Sequence, residues 1–252
     1  MPVPHTITTA VTDGAGNWVA GGQLEFFLSQ NEAVSWTTPA APSVTPLCSA
    51  FGGGTLLLGG ASTSVSGQAG WAYSTNGGTS WTSGNTLSNG EALIGAVTWD
   101  GAQFVALAGS AAGTVPSLYT SPNGIAWTFV GTLQTTSTEP AGIAHGSGVY
   151  VVGTNGGTVR VAATLAALLT AGDTSLGTGG AAVASLAFGN NTFVGVDSAG
   201  HAVSSKTAGA SWALENPLFG TAAIAGICYV GGATHKFCAV GANGLISTRT
   251  GG

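Results

Sequence analysis

Charge is what this 252-residue chain has least of. Four Lys or Arg and nine Asp or Glu stand where a soluble domain ordinarily spends about a quarter of its residues, so Thr, Ser, Asn, Gln and backbone must cover the surface. A net charge of -5 with so few basic residues excludes the clustered Lys and Arg that nucleic acid or anionic lipid requires. Long hydrophobic runs are missing too: nothing reaches the ~18 apolar residues of a membrane span. The opening MPVPHTITTAVTDGAGNW has neither a basic nor an apolar segment of signal type. The expectation is a protein made in the cytosol, with no export signal and no membrane insertion. Three cysteines cannot all pair, which excludes a disulfide framework. Cys228 and Cys238 flank the hairpin segment CYVGGATHKFC and can face each other across it, as two buried free thiols in the ordinary reading or as a strained bridge in the alternative.

What is abundant is glycine, at 43 residues, alongside 44% apolar residues, enough to build a packed core. These residues repeat. Short apolar runs, a tight polar turn, then an aromatic followed by Val recur in AVTDGAGNWVAGG, AVTWDGAQFVALAG, GIAHGSGVYVVGT, SLAFGNNTFVGVD and GICYVGGATHKFCAVG, with CSAFGGGTLLLGG as a weaker copy. Each reads as a β-hairpin. Trp18, Phe104, Tyr150, Phe193 and Phe237, with Leu57 filling the gap, mark steps of roughly 40 to 47 residues, long enough for four short strands each.

A second hairpin follows most of these and carries its own motif. STNGGTSW places Ser74, Asn76, Gly78 and Trp81 at fixed intervals, and SPNGIAW does the same with Ser121, Asn123, Gly124 and Trp127. Two eroded copies are SQNEAVSW, with Ser29, Asn31 and Trp36 but Ala33 for the glycine, and SKTAGASW, with Ser205, Gly209 and Trp212 but Thr207 for the acid. The fourth unit has only LLTAGDTS, and the sixth stops at STRTGG. The spacing has a physical reason: Asx and Ser side chains accept backbone N–H groups, Gly supplies φ > 0, and Trp folds back as an apolar anchor. None of these roles needs a ligand.

The motif resembles the Asp box, or bacterial neuraminidase repeat: STNGGTSW fits its long form S-x-D-x-G-x-x-W, with Asn76 for the acid, and SPNGIAW its short form S-x-D-G-x-x-W, with Asn123 for the acid. Six such units imply an all-β, six-bladed β-propeller with four-stranded blades, in one domain spanning residues 1–252. Seven blades is the alternative if a unit hides within 160–182. Residues 2–9 are expected to supply the outer strand of the last blade and close the ring. The resemblance spans sialidases, sortilin-like receptors, photosystem assembly factors and phage tail modules, so it names an architecture rather than an activity.

Candidate chemistry is sparse. The resemblance to sialidases would require three arginines, and the chain has Arg160 and Arg249 alone. Glycoside hydrolysis needs two carboxyl groups about 5 to 9.5 Å apart, for which Glu91 and Glu139, ahead of innermost strands in consecutive units, are the best pair; two solvated loop carboxylates is the ordinary reading. His145 lies near Glu139 as a candidate base, or as a turn residue. Trp18, Trp71 and Trp99 fall outside the motif copies and offer aromatic faces for a sugar, against the commoner role of core packing. The four histidines share no paired spacing, and no Asp-rich calcium loop is present, so no metal or other cofactor is expected.

What remains is a non-enzymatic binding or structural module. Nearly uncharged Gly/Ala/Thr/Ser-rich all-β chains look like virion proteins of tailed phages, made in the host cytoplasm as capsid decorations or tail and fibre parts. Other virion proteins and a cell-surface glycan are the expected partners. The alternatives are a lectin-like propeller and a glycoside hydrolase on Glu91 and Glu139. The apolar stretch 160–182 is expected to pack on a partner or on a neighbouring blade.

Overall fold

A computed structural model describes residues 7–23, 25–109, 115–134, 142–215, 223–230, 236–241 and 246–250. The chain divides into two compact units, Met1–Val130 and Gly131–Gly252.

Three antiparallel sheets follow one another through the first unit. They are β1 (Ile7–Thr12), β2 (Trp18–Gly22) and β3 (Phe26–Ser29); then β4 (Val44–Gly52), β5 (Thr55–Ser62), β6 (Ala69–Ser74) and β7 (Thr82–Gly84); then β8 (Leu93–Trp99), β9 (Phe104–Gly109), β10 (Ser117–Ser121) and β11 (Thr128–Thr132), the unit boundary falling within β11. The second unit repeats the plan. It holds β12 (Gly142–Gly146), β13 (Val149–Gly153), β14 (Thr158–Ala162) and β15 (Thr174–Ser175); β16 (Val183–Gly189), β17 (Thr192–Asp197), β18 (Ala202–Ser205) and β19 (Ala213–Leu214); and β20 (Ile224–Val230), β21 (Lys236–Gly241) and β22 (Ile246–Thr250). Every sheet is an up-and-down meander of consecutive strands, six blades of a β-propeller as the period of the sequence predicts. One six-residue helix, α1 (Leu165–Thr170), interrupts the strands.

Two expectations are corrected. Residues 7–9, read as closing the last blade, instead begin β1 and pair with β2 of the first sheet (Ile7 with Gly22, Thr9 with Gly21); residues 2–6 lie outside the described residues. The stretch 160–182 hides no seventh unit. It carries the end of β14, the helix α1 and the short outer strand β15 of the fourth sheet. Its apolar residues are spent inside the second unit, where Leu168 is fully buried and the Leu169 side chain lies against Gly131.

The core lies between successive sheets. In the first unit one cluster joins Val19, Phe26 and Leu28 to Val44, Leu56 and Leu58, and the next joins Leu57 and Trp71 to Ile94, Phe104 and Tyr119. In the second unit Ala144, Val151 and Val159 meet Leu186, Phe193 and Val203. The second strand of each such sheet is therefore covered on both faces. That is why TLLLGG, FVALAG and TFVGVD read as continuous small-to-apolar runs rather than the alternation of a half-exposed strand. Among the described residues, five innermost strands carry a register shift near their start, as at Pro46/Cys48 and Ile94/Ala96, and such bulges increase the strand's right-handed twist.

One contact recurs from sheet to sheet. At or one residue before the end of four innermost strands, an aromatic pairs with an aromatic of the second strand: Trp99 with Phe104, His145 with Tyr150, Phe188 with Phe193 and Tyr229 with Phe237, with ring centroids 4.8, 4.5, 4.6 and 5.1 Å apart. Where the second sheet has Phe51 the partner is Leu56, not Leu57, one residue before the sequence-based marker. Three of these rings, Trp99, Phe188 and Tyr229, also fill the space above a glycine of the preceding sheet. A Cβ on Gly52 would sit 2.0 Å from Trp99, one on Gly146 2.1 Å from Phe188, and one on Gly189 2.1 Å from Tyr229. None of the three glycines adopts a left-handed backbone, so the requirement is for room.

Gly52→Ala and Gly146→Ala are expected to destabilise by at least the ~1–3 kcal/mol typical of overpacking. Gly172, open on all sides and without positive φ, is the control, and Gly172→Ala is expected to be neutral or slightly stabilising. Thermal melts of the three variants check this; equal melting temperatures would contradict it.

Candidate functional site

The motif turns are built from hydrogen bonds within the turn itself. Ser74 Oγ accepts from Gly78 N at 3.0 Å, and Asn76 Oδ1 accepts from Ser80 N at 3.0 Å and Ser74 Oγ at 2.9 Å, while Asn76 Nδ2 donates to Ser80 Oγ at 2.8 Å. Asn31 repeats this with Ser35 and Ser29. Ser121 accepts from Gly124 N at 2.9 Å and Asn123 from Ile125 N at 3.0 Å. In the eroded copy Ser205 accepts from Gly209 N at 3.0 Å, and Thr207 Oγ1 replaces the amide oxygen, accepting from Ser211 N at 2.9 Å.

The turn glycine rests on the preceding sheet in both intact copies and in the eroded copy at Gly209, a Cβ on Gly124 meeting Leu57 at 3.1 Å. A Cβ on Gly78 would meet Val19 at 2.9 Å and Leu28 at 3.0 Å, and one on Gly209 would meet Val161 at 2.9 Å. Trp81 and Trp212 donate Nε1–H to the carbonyls of Gly78 and Gly209 at 2.9 and 3.0 Å. Trp81 packs edge-on to Phe26, and Trp127 edge-on to Trp71. Trp36 departs from the anchoring role: it is 41% exposed, next to Val34 at 81%, and Ala33 holds the glycine position at φ 61°.

Of the five candidate ligand-binding residues, four are described. Trp99 is the wedge over Gly52, and Trp71 is buried among Leu87, Phe104 and Tyr119; both pack the core. Trp18 stands opposite Thr12 on β2, its Nε1 buried with no partner among the described residues. Glu139 lies outside the described residues, so its separation from Glu91 has no value here. His145 is a strand residue stacked on Tyr150 rather than a turn residue.

Glu91 corrects the expectation of a solvated carboxylate. It is 6% exposed, and Tyr119 Oη donates to its Oε1 at 2.7 Å, with Ser88 Oγ 3.4 Å from the phenol. Its Oε2 is buried with no hydrogen-bond partner. Burial, with Glu91 adding to it, pushes the Tyr119 hydroxyl up to about 12, so Tyr119 stays a donor at any physiological pH. A residue 28 positions away in sequence left no signal of this pairing. Two further polar knots escaped sequence reading. Buried Arg160 donates Nε–H to Asp173 at 2.5 Å and Nη1–H to the Leu169 carbonyl at 3.3 Å, and it also bonds the Gln134 carbonyl, tying down the 160–175 connection. Buried Asp197 accepts from the backbone of Ala199 and His201 and holds the His201 ring at 2.8 Å. Asp13 closes a similar turn: burial alone would raise its pKa, but hydrogen bonds from the Asn17 side chain and from Ala15 and Asn17 N–H outweigh this and hold it low.

Among the described residues no three His, Cys, Asp or Glu side chains cluster as metal ligands, and no helix is long and apolar enough to cross a membrane.

Neither a protein-family model nor a curated protein sequence matches the chain. Solved structures do. The WD40 repeats of RRP9 match with a TM-score of 0.70 at 12% identity, over all of this chain and 78% of that one. YCF48 bound to D1 peptide matches at 0.66 and 11%, over 98% and 79%. YCF48 from Cyanidioschyzon merolae matches at 0.57 and 13%, over 99% and 97%. At such identities the likeness is one of fold, and the fold is the β-propeller.

Tyr119→Phe leaves both Glu91 oxygens without the phenol and is expected to cost about 1–3 kcal/mol. Because the folded pKa of Tyr119 lies above its ordinary value of 10.0, its contribution is complete below about pH 10 and fades as pH rises towards 12. Alkaline unfolding followed by circular dichroism should therefore be shallower between those pH values in Tyr119→Phe than in the parent; identical profiles would contradict the assignment.

Proposed function

We propose that this chain is a non-enzymatic binding and structural module, and more specifically a virion protein of a tailed phage, set on the capsid, tail or fibre. The observation that carries the reading is how the described candidate residues are used. Glu91 is closed off beneath Tyr119, and Trp71 and Trp99 fill the core. Two of the exposed apolar groups, Val34 and Trp36, stand together on the first motif turn and suit a protein partner, since aromatic side chains anchor interfaces. A propeller solved with a peptide bound supports the same class of partner. The virion assignment draws on the nearly uncharged composition and on the kinship of the turn motif with phage tail modules. The exposed Trp36 face also favours a second reading, a lectin-like propeller that stacks a cell-surface sugar.

Gradient-purified particles of a phage encoding the chain are expected to contain it, detected by immunoblot; particles without it would overturn the virion assignment. Purified protein tested on intact bacteria and on a glycan array separates the host-binding roles. Trp36→Ala should abolish whatever binding is seen and leave stability within about 0.5 kcal/mol, as for other exposed positions.

A further inference from the structure

The sixth sheet carries a substitution that the other sheets lack. One register step before the aromatic pair, β20 and β21 set Cys228 directly opposite Cys238. The same step holds Ala50 and Leu57, Thr98 and Val105, Ala144 and Val151, and Ala187 and Val194 in four other sheets. Both members of one cross-strand pair are thiols in this sheet alone among the five. Side chains alternate along a strand, so the two sulfurs share the face opposite Tyr229 and Phe237. That face is open enough to leave Cys228 exposed and Cys238 half-buried, and both are free thiols. The third cysteine is enclosed: Cys48 Sγ lies 3.6 Å from the Gly59 carbonyl and 3.5 Å from that of Ile94, and burial pushes its thiol up to about 12, whereas the Cys228 thiol, also pushed up by burial and by Cys238, reaches the surface.

We propose that Cys228 and Cys238 form a dithiol site for low-molecular-weight disulfides, closing reversibly into a cross-strand disulfide. The Cys228 thiolate attacks one sulfur of the reagent disulfide, whose S–S bond breaks and releases one thiolate, leaving a mixed disulfide on Cys228. The Cys238 thiol loses its proton to solvent, attacks the Cys228 sulfur and expels the second reagent thiolate. Two protein thiols are oxidised, one external disulfide is reduced, and both released thiolates take up protons. Directly opposed strand residues hold their Cβ atoms about 4.5–5.5 Å apart, beyond the ~3.8 Å a relaxed disulfide prefers. The bond is therefore strained and readily reduced, and the exchange runs both ways.

The whole folded protein is equilibrated in glutathione buffers of rising oxidised-to-reduced ratio, acid-quenched, and read by intact mass and peptide mapping, with circular dichroism verifying the fold. The expected product has lost two hydrogens, retains no glutathione, joins the Cys228 and Cys238 peptides, leaves Cys48 free, and reverts in reduced glutathione. Cys228→Ser should hold one unresolved glutathione on Cys238. The double change Cys228→Ala with Cys238→Val, which restores the pair found in the other sheets, should stay folded and take up none. Separate glutathiones on both cysteines, or three free thiols in fully oxidised buffer while the protein is folded, would overturn the proposal.

Discussion

Much of this structure depends on one repeated contact, an aromatic ring of one sheet seated on a bare glycine of the sheet before it. Trp99 on Gly52, Phe188 on Gly146 and Tyr229 on Gly189 do two things at once. The ring meets its cross-strand partner at a tilt of 50–65°, and the missing Cβ lets the neighbouring backbone approach within van der Waals distance. Sheets that are covered on both faces by their neighbours need spacing set by shape, because apolar burial alone does not select one arrangement. Here such a contact sets the spacing once in the first unit and twice in the second.

The motif turns follow the same logic in the sheets that carry them, with Ser74, Ser121 and Ser205 in the same cross-strand rows as Leu56, Phe104 and Phe193. Their hydrogen bonds are internal, so the turn is rigid before it packs, and its glycine then presses on aliphatic side chains of the preceding sheet. Asn76 serves in place of an acid because the turn uses the side-chain oxygen as an acceptor and adds an amide donor to Ser80. Thr207 shows how little is needed, since one hydroxyl oxygen keeps the bond to Ser211 N. A nearly uncharged chain can thus satisfy its motif turns without carboxylates, while Asp13, Asp100 and Asp197 close other turns.

The periodic part of this design was legible in the sequence. Hairpins around Trp99 and Phe104 or Phe188 and Phe193 announce themselves by aromatic spacing and turn residues, and six of them set the number of sheets. Contacts between sheets were not legible. Gly52 reads as part of a glycine turn, yet it ends β4 and makes room for a ring 47 residues on. Leu57 reads as the equivalent of Phe104, but Gly52 pairs with Thr55 across a two-residue turn, which puts Leu56 opposite Phe51. Glu91 was read as exposed because nothing near it in sequence is a partner; Tyr119, which binds it, arrives from the next hairpin. Residues 7–9 were assigned to the last sheet from the strand count alone, whereas β1 is claimed locally by the tight turn to β2, in which Asp13 N donates to the Asn17 carbonyl.

The account makes the ring and the glycine a single unit, and a double-mutant cycle on Gly189 and Tyr229 tests that directly. Stability is measured for Gly189→Ala, Tyr229→Ala and the double variant by denaturant unfolding. If the methyl group harms the protein by colliding with the ring, removing the ring makes room for it, and the double variant is more stable than the sum of the single losses implies. The predicted coupling falls within the ~0.5–3 kcal/mol range of contacting residues. Losses that simply add would contradict the interlock and would mean that the sheets are spaced by something other than these contacts.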